Sequence, residues 1–482
     1  MTTMRRSTRV AGLLAILLST GAGRLFAIDP PAAPEPGMAA WLAGDAPQAA
    51  RELASRTDRE SVLNRNVARL YAGEPVIAEQ ELQALLAADP RWTPALRWLA
   101  RARAASGSPR LVETVLTLLT DKGATSRDFL WVGQLRLDRG EWAGARACLR
   151  QAVAMEKDLY LGWLWLGDAE AALGQDAQAR EAWLQARELH DGGDVLLRLA
   201  KGSLVAGRRE EGRKWLEEAR ATPEGRLRED EIRRLAPDLP AIAPAPQVTP
   251  PLNPGEKLRY SSRYFFIRFA TLETENQGWT EFHGRRAARL VLTVRSNRGF
   301  RFLDIDSRFE SLIAEDGSVL AHRNTTNDSV DGRRATSWEM DPATGRSVVR
   351  NVIEGLFGFD RLPLPPLVQD GLSVPQLARG LAGTRRLSVL TAIDGTWKGT
   401  QLRTVANGRV KWAGRSVEAV QVESEGRYKG PAGLSGVVRT WIGRDARAIP
   451  YEVSFKLALG SVVLELSKES GTVGAQIAAA LR

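Results

Sequence analysis

The chain has 482 residues, of which 44% are hydrophobic and 26% charged, a balance that excludes a largely disordered protein. At this length two or three domains are expected, and each half is long enough to bury a core of its own. The formal net charge is +10, so salt-sensitive attraction to anionic surfaces is expected; an ordinary arginine-rich surface is the alternative.

The first 27 residues have the order of a secretory signal peptide. Three arginines within the first nine residues precede the apolar stretch Val10–Leu18, and small residues follow. Cleavage is expected after Ala27 or, as second choice, after Ala22; an uncleaved N-terminal anchor is the alternative. No cysteine lies near either site, so we expect an exported, periplasmic protein without lipid modification. Its anionic partners would then be lipid, lipopolysaccharide or cell-wall polymer, and no nucleic acid is expected.

Two proline-rich stretches divide the rest of the chain. The first is a short leader at 28–37, and the second is a linker at 236–253. Prolines at this density favour polyproline II and form a semi-rigid spacer. The linker therefore separates a domain at 38–235 from a second domain at 254–470, and 471–482 is a C-terminal tail.

A repeat of small and large side chains occupies the first of these domains. Gly133 recurs as Gly167, an offset of 34 residues (167 − 133). Two successive copies share five positions: Gly133, Gly140, Ala145, Leu149 and Ala152, then Gly167, Gly174, Ala179, Trp183 and Ala186. A third copy, one residue shorter, holds Ala200, Gly207, Gly212, Leu216 and Ala219. Small residues let two antiparallel helices approach, a glycine allows the turn between them, and Trp163, Trp165 and Trp183 are expected to fill the space between stacked hairpins.

With these residues, about 38–226 resembles the tetratricopeptide repeat family. The resemblance implies a superhelix whose concave face binds proteins or peptides; a structural spacer and a generic helical hairpin array are the alternatives. The single cysteine, Cys148, lies within a repeat and is expected to be a buried small hydrophobe. One thiol excludes an intramolecular disulfide and a cysteine-based zinc site.

Beyond the linker the hydrophobic period changes from helical to alternating. Leu290–Val294 and Tyr451–Leu457 each place apolar residues on one face, as in antiparallel strands with one buried side. Tight turns are predicted at four dipeptides: Asp316-Gly317, Asp331-Gly332, Asp394-Gly395 and Asn407-Gly408. One helix is predicted at Ser373–Leu381, with Ser373 as its N-cap. The predicted fold is thus an α-solenoid of tetratricopeptide-like hairpins followed by a curved antiparallel β-sheet or partly open β-barrel.

Several short blocks give residues 252–468 a resemblance to a group of secreted bacterial domains of unknown function. They are Pro254–Leu258 with Tyr260, Arg308–Ser311, Gln369–Ser373, Trp441–Pro450 and Gly460–Val462 with Leu464 and Leu466. The resemblance implies a curved, partly closed antiparallel sheet in the cell envelope and no established activity. The chain departs from the group at Gly371, where a proline is usual, and at Phe265–Phe269, which replace a glycine-containing segment.

The ionisable residues do not predict an active site. His190, His283 and His322 are far apart in sequence, so a metal site or a Ser-His-Asp arrangement requires long-range assembly, for example of His283 with a distant serine. Structural roles are preferred for all three. No catalytic, cofactor-binding or metal-binding residue is predicted.

Three carboxylates on one predicted strand, Asp304, Asp306 and Glu310, could serve acid–base chemistry. Apolar residues alternate with them, so a solvated polar face is the simpler interpretation. An aromatic cluster is more suggestive of binding, because consecutive aromatics put bulk on both faces of a strand. These residues could line an apolar ligand cavity or pack in the core: Tyr264, Phe265, Phe266 and Phe269.

The leading functional hypothesis is a non-enzymatic periplasmic binding or scaffold protein. Its repeats would bind a protein partner, and its β-domain an envelope component. A carrier of a lipid or other apolar ligand in the β-domain is the second hypothesis. An envelope polysaccharide hydrolase acting through Asp304, Asp306 or Glu310 is the third.

Overall fold

A computed structural model describes most of the chain beyond the leader. The described residues are 36–108, 110–239, 250–297, 305–328, 332–341, 346–363, 368–381, 386–393, 396–429, 435–456 and 461–470. The predicted signal peptide and tail lie outside them. The described residues all belong to one compact unit, which begins at residue 36. None of the helices in the described ranges is long and apolar enough to cross a membrane.

The first half of the described chain is helical. Its helices are α1 Met38–Leu42, α2 Ala46–Glu52, α3 Arg59–Tyr71, α4 Pro75–Ala88, α5 Thr93–Ser106, α6 Leu111–Thr120, α7 Ser126–Asp138, α8 Trp142–Met155, α9 Tyr160–Ala172, α10 Asp176–Leu189, α11 Gly193–Val205, α12 Arg209–Ala221, α13 Pro223–Arg226 and α14 Glu229–Leu235. From α3 to α12 they pair as successive antiparallel hairpins, so the predicted tetratricopeptide-like array is confirmed.

The repeat glycines have the roles that their spacing predicts. A Cβ on Gly133 would lie 2.7 Å from the Leu149 side chain, and one on Gly167 would lie 2.3 Å from the Trp183 ring. Only glycine allows the two helices of each hairpin to approach this closely. Gly140 and Gly174 have φ of 73° and 71°, a left-handed conformation that ends one helix and begins the turn to the next.

The second half is a single antiparallel sheet. Its strands are β1 Lys257–Tyr264, β2 Ile267–Phe282, β3 Arg285–Ser296, β4 Ile305–Ala314, β5 Val319–Asp328, β6 Gly332–Asp341, β7 Arg346–Ile353, β8 Leu356–Pro363, β9 Arg386–Ile393, β10 Thr396–Trp412, β11 Arg415–Lys429, β12 Ser435–Gly443, β13 Pro450–Lys456 and β14 Ser461–Ser470. Their spatial order is β8-β7-β6-β5-β4-β3-β2-β1-β14-β13-β12-β11-β10-β9. The first and last strands of the domain, β1 and β14, pair at the centre. The sheet is not closed, and its two edges are β8 and β9.

One predicted turn is confirmed and one is wrong. Asp316-Gly317 connects β4 to β5, with Gly317 at φ 83°. Asn407-Gly408 instead lies inside β10. A Cβ on Gly408 would lie 2.9 Å from the ring of Trp441 on β12, so this glycine makes room for a cross-strand aromatic rather than for a turn. Asp331 and Asp394-Gly395 lie outside the described residues.

A single helix, α15 at Ser373–Gly380, lies between the edge strands in sequence. Its apolar side packs on β9 to β12 through a cluster of buried residues: Val374, Leu377, Ala378, Leu381, Val389, Leu402, Val420, Val422, Ile442 and Ala448. The predicted cap is corrected, because the Asp370 carboxylate accepts from the backbone N–H groups of Leu372 and Ser373 at 2.8 and 2.7 Å. Ser373 is the first residue of the helix.

The array and the sheet share their hydrophobic cores. One cluster joins Trp165 of α9 to Trp397 of β10, and another joins Trp41 of α1 to Phe357 of β8. The two halves are therefore joined by common buried clusters, in addition to the clusters that lie within the sheet domain alone. The described ends of the predicted linker also pack on the shared core, through Leu239 and Leu252, while 240–249 lie outside the described residues.

Candidate functional site

The inner face of the repeat array holds one edge of the sheet. Asn64 of α3 pairs with the β7–β8 turn: its amide nitrogen donates to the Gly355 carbonyl at 2.7 Å, and its oxygen accepts from the Phe357 N–H at 2.8 Å. Arg101 of α5 donates to the Phe359 carbonyl at 2.9 Å and to the Asp360 carboxylate at 2.7 Å. Strand β8 is thereby fixed against the first helices of two successive hairpins.

The same array also contacts the opposite edge of the sheet. Lys398 of β10, 10% exposed at its side chain, donates to Asp158 at 2.7 Å and to Glu156 at 3.0 Å, both in the turn before α9. A Cβ on Gly399 would lie 1.9 Å from the Leu189 carbonyl oxygen, so a backbone at the end of α10 lies directly against β10. The helices therefore bridge the opening between the two halves of the sheet.

A cavity of about 460 Å³ lies where helices and strands meet. Its lining comes from α3, α5, α7, α9, β7, β8, β10 and the turn before α9. The residues are Leu70, Arg101, Ala104, Ala105, Arg127, Leu130, Trp131, Gln134, Leu135, Asp138, Leu159, Leu161, Trp165, Arg346, Phe359, Asp360, Arg361, Leu362 and Trp397. All four helices are the first helices of their hairpins. The cavity is therefore the space left between the inner face of the array and the strands that cover it.

Sequence reasoning missed this cavity, although one signal for it was present. Trp131 and Trp165 occupy the same repeat position, 34 residues apart (165 − 131), and both line the cavity. We predicted that Trp165 fills the space between hairpins. In the structure Trp183 has that role, lying against Gly167 and Gly202. A tryptophan that recurs on the inner side of successive hairpins, as Trp131 and Trp165 do, indicates a contact other than the one between hairpins.

Two of the lining arginines, Arg101 and Arg361, each lie over two aromatic rings. The Arg101 guanidinium lies 4.9 Å from the Trp98 ring and 5.1 Å from the Trp131 ring. The Arg361 guanidinium lies 5.2 Å from Tyr71 and 5.3 Å from Phe359. Stacking of this kind fixes an arginine while leaving the N–H groups at its edge available to acceptors.

The aromatic cluster that could line an apolar ligand cavity lies apart from the cavity of about 460 Å³. Phe265 and Phe266 are the two residues of the β1–β2 turn, 55% and 82% exposed, with Phe265 at φ 52°. Tyr264 and Phe269 are half-buried against a cluster around Tyr260. The expected strand is corrected to a tight hairpin, and none of the four residues belongs to the lining of the 460 Å³ cavity.

A serine, a histidine and an aspartate do meet, but not as a nucleophilic triad. Ser311 donates to the Asp370 carboxylate at 2.6 Å, and His322 Nδ1 lies 3.0 Å from both the Ser311 Oγ and the Asp370 Oδ2. A triad needs the serine and the carboxylate on opposite ring nitrogens, whereas here both approach Nδ1. This cluster joins two of the blocks that gave the family resemblance, Arg308–Ser311 and Gln369–Ser373.

Neighbouring donors keep the buried Asp370 carboxylate ionised. Burial by itself raises the pKa of Asp370, but the neighbouring His322 and the hydrogen bonds from His322, Ser311 and Ser373 outweigh burial and hold that pKa below its usual value. The carboxylate thus anchors the start of α15 as an ion.

The end of α15 anchors two further blocks. The Arg379 side chain, 1% exposed, pairs with Glu256 at 2.7 Å and donates to the carbonyls of Ala448 at 3.0 Å and Arg447 at 2.7 Å. The Tyr260 hydroxyl donates to the Pro450 carbonyl at 2.8 Å, and burial raises the pKa of that hydroxyl. The conspicuous motifs of the sheet domain therefore hold α15 in place.

The remaining ionisable candidates are surface or structural groups. Asp306 is exposed and lies 3.6 Å from Arg295, and Glu310 lies 3.5 Å from Arg289; both belong to a polar strand face. Asp304 lies outside the described residues. His283 is at the β2–β3 turn with φ 48°.

Neither His190 nor Cys148 suggests a reactive group. The His190 ring is buried and packs edge-on against Tyr160. Cys148 is buried, and burial raises the pKa of its thiol. No group of three or more metal-ligating side chains occurs in the described ranges.

The fold and these contacts define a class: a tetratricopeptide-like array fused through a shared core to an open antiparallel sheet. Residues 259–467 match a family model described as "Protein of unknown function (DUF3108)", so the predicted recognition of the sheet domain is confirmed. No curated protein matches the chain.

Solved structures similar to the chain include tetratricopeptide proteins. A structure of MamA is 18% identical, covers 34% of this chain and 96% of its own, and has a TM-score of 0.31. A TPR repeat-containing protein from Cytophaga hutchinsonii is 14% identical, with coverage of 38% and 80% and a TM-score of 0.34. YrrB, described as a TPR protein with an unusual peptide-binding site, is 14% identical, with coverage of 37% and 94% and a TM-score of 0.32. The repeat class of this chain rests on its own 34-residue spacing and stacked hairpins.

Proposed function

We propose that the protein is a non-enzymatic scaffold of the cell envelope whose repeats bind a protein partner through their outer face. The observation that carries this proposal is that the chain's own sheet occupies the inner face. A partner would therefore use the second helices of the hairpins, of which only the end of α10 contacts a strand in the pairs described above.

The second helices of the first two hairpins carry exposed apolar side chains suited to such a partner. Four large apolar side chains on α4 and α6 are exposed: Val76 58%, Ile77 45%, Val112 63% and Leu116 53%. The other exposed side chains of α6 are threonines and one acid, Glu113. An exposed helix side with one charge, as on α6, is unusual in a chain with 26% charged residues and favours an apolar protein surface as its complement.

Affinity purification of the full chain from cell-envelope extract tests the proposal. The double variant Val112→Asp/Leu116→Asp should lose the partner, because two carboxylates would have to be buried in the interface. Val205→Asp, at an 83% exposed position on α11, introduces the same kind of change elsewhere on the array. This variant should still bind the partner. Failure to recover a reproducible partner, or equal recovery with both variants, would contradict the proposal.

Export to the periplasm is the second part of the proposal. It is supported by the charged, apolar and small-residue order of the first 27 residues, and the net charge of +10 supports contact of the sheet domain with an anionic envelope component. Osmotic-shock fractionation should release a chain shortened at Ala27 or Ala22. A full-length chain that stays with the cytoplasmic fraction would disprove export.

A further inference from the structure

We propose that the cavity between the repeats and the sheet is a binding site for an organic anion with an apolar body. This site is distinct from the outer face on which a protein partner would lie. Its volume of about 460 Å³ lies within the range of small-molecule sites, roughly 300–1,000 Å³. Its walls come from both halves of the chain, so a bound molecule would contact the array and the sheet together.

The lining favours a negatively charged ligand. Four lining residues are arginines and two are aspartates, a formal excess of two positive charges (4 − 2). One aspartate, Asp360, is already paired with Arg101 at 2.7 Å. In a partly enclosed site such an excess selects for anions and disfavours cations.

Arg361 is the group best placed to hold the anion. Its guanidinium carbon lies 5.2 Å from the Tyr71 ring centroid and 5.3 Å from that of Phe359, and it has no carboxylate partner within the described part of the chain. A guanidinium held by cation–π contacts still has N–H donors that can bind a planar or tetrahedral anion. A carboxylate, sulfonate or phosphate group fits this recognition.

Two buried donors on lining residues give independent support for an acceptor in the cavity. The indole Nε1 of Trp397, a residue only 3% exposed, and the Nε of Arg101 have no hydrogen-bond partner among the described residues. A buried donor without an acceptor is destabilising. A bound molecule whose acceptor reached either N–H would remove this cost.

The rest of the lining requires an apolar body. Twelve of the lining residues are apolar, among them Trp131, Trp165 and Leu362. Inorganic phosphate alone would leave these walls uncovered, so its affinity should be low. Both an acyl chain and an aromatic ring system share the required chemistry, and the competition experiment distinguishes them.

The experiment titrates the full chain with the fluorescent aromatic sulfonate 1-anilinonaphthalene-8-sulfonate. One molecule should bind per chain, and dodecanoate should displace it roughly tenfold better than dodecanol or inorganic phosphate, since a charge-assisted hydrogen bond is at stake. Arg361→Gln should weaken binding roughly tenfold. Arg409→Gln should not weaken binding, because Arg409 lies on β10 outside the cavity lining and donates to Ser416 on β11.

A second variant guards against a folding defect in Arg361→Gln. Ala105→Trp places an indole in the cavity and should also abolish one-to-one binding, with circular dichroism confirming that each variant is folded. If dodecanoate fails to compete while binding still depends on Arg361, the body of the ligand is aromatic. Equal binding by the Arg361, Ala105 and Arg409 variants, or equal displacement by dodecanol and dodecanoate, would overturn the proposal.

Discussion

The indole of Trp41 lies parallel to the ring of Phe357, with centroids 5.3 Å apart and 6° between their planes. The first described helix and the edge strand β8 are thus stacked although 316 residues separate them in sequence (357 − 41). The Trp41 Nε1 also donates to the Asn351 carbonyl of β7 at 3.1 Å. Contacts of this kind make one folding unit of two secondary-structure classes.

Replacing Trp41 should therefore destabilise the sheet as well as the array. Trp41→Ala removes a fully buried indole, and the free energy of unfolding should fall by about 3–5 kcal/mol. Urea titration followed by circular dichroism at a helical and at a strand wavelength should show coincident transitions. Trp142→Ala, at a 39% exposed position, is the control and should lower the free energy of unfolding less. Two separate transitions would refute the shared core.

Gly399 should not tolerate a side chain. A Cβ there would lie 1.9 Å from the Leu189 carbonyl oxygen, whereas one on Gly371 would have no neighbour within 4 Å. Gly399→Val should lower the free energy of unfolding by at least about 2 kcal/mol, and Gly371→Ala should change it by less than about 0.5 kcal/mol. Similar midpoints for the two variants in thermal unfolding would show that β10 does not lie against α10.

The contribution of Asp370 should depend on pH. Its pKa is lower in the folded than in the unfolded chain, so the ionised carboxylate stabilises the fold above the unfolded value of about 3.9. This stability is lost as the pH falls through the lower folded pKa. Asp370→Asn should cost about 3 kcal/mol at pH 7, and the difference from the unchanged chain should shrink below pH 4. A difference that is constant from pH 7 to pH 3 would contradict an ionised Asp370.

The hairpin aromatics should contribute little to stability. Phe266 is 82% exposed and Phe357 only 2%, so Phe266→Ser should change the free energy of unfolding by less than about 0.5 kcal/mol. Phe357→Ser should cost about 3–5 kcal/mol. Chemical denaturation of both variants makes the comparison. A large loss of stability with Phe266→Ser would show that the β1–β2 turn does pack in the core.

Local rules predicted what local interactions control. The 34-residue spacing of Gly133 and Gly167 predicted the hairpins, because helix packing within a repeat needs small residues at fixed positions. Alternation in Leu290–Val294 predicted a strand, since one face of a sheet must be buried. The turn predicted at Asn407-Gly408 was wrong, because Gly408 lies within a strand and makes room for the Trp441 ring.

The sequence by itself determined the two secondary-structure classes and their order along the chain, because hydrophobic period and turn chemistry are encoded within a few residues. Only the tertiary structure decided that strand β8 enters the inner face of the repeats, that Ser311 meets Asp370, and that Arg361 lines a cavity with Trp165. These residues are brought together by long-range packing. A local sequence pattern shows that a helix or strand has a buried face, but not which other element packs against that face.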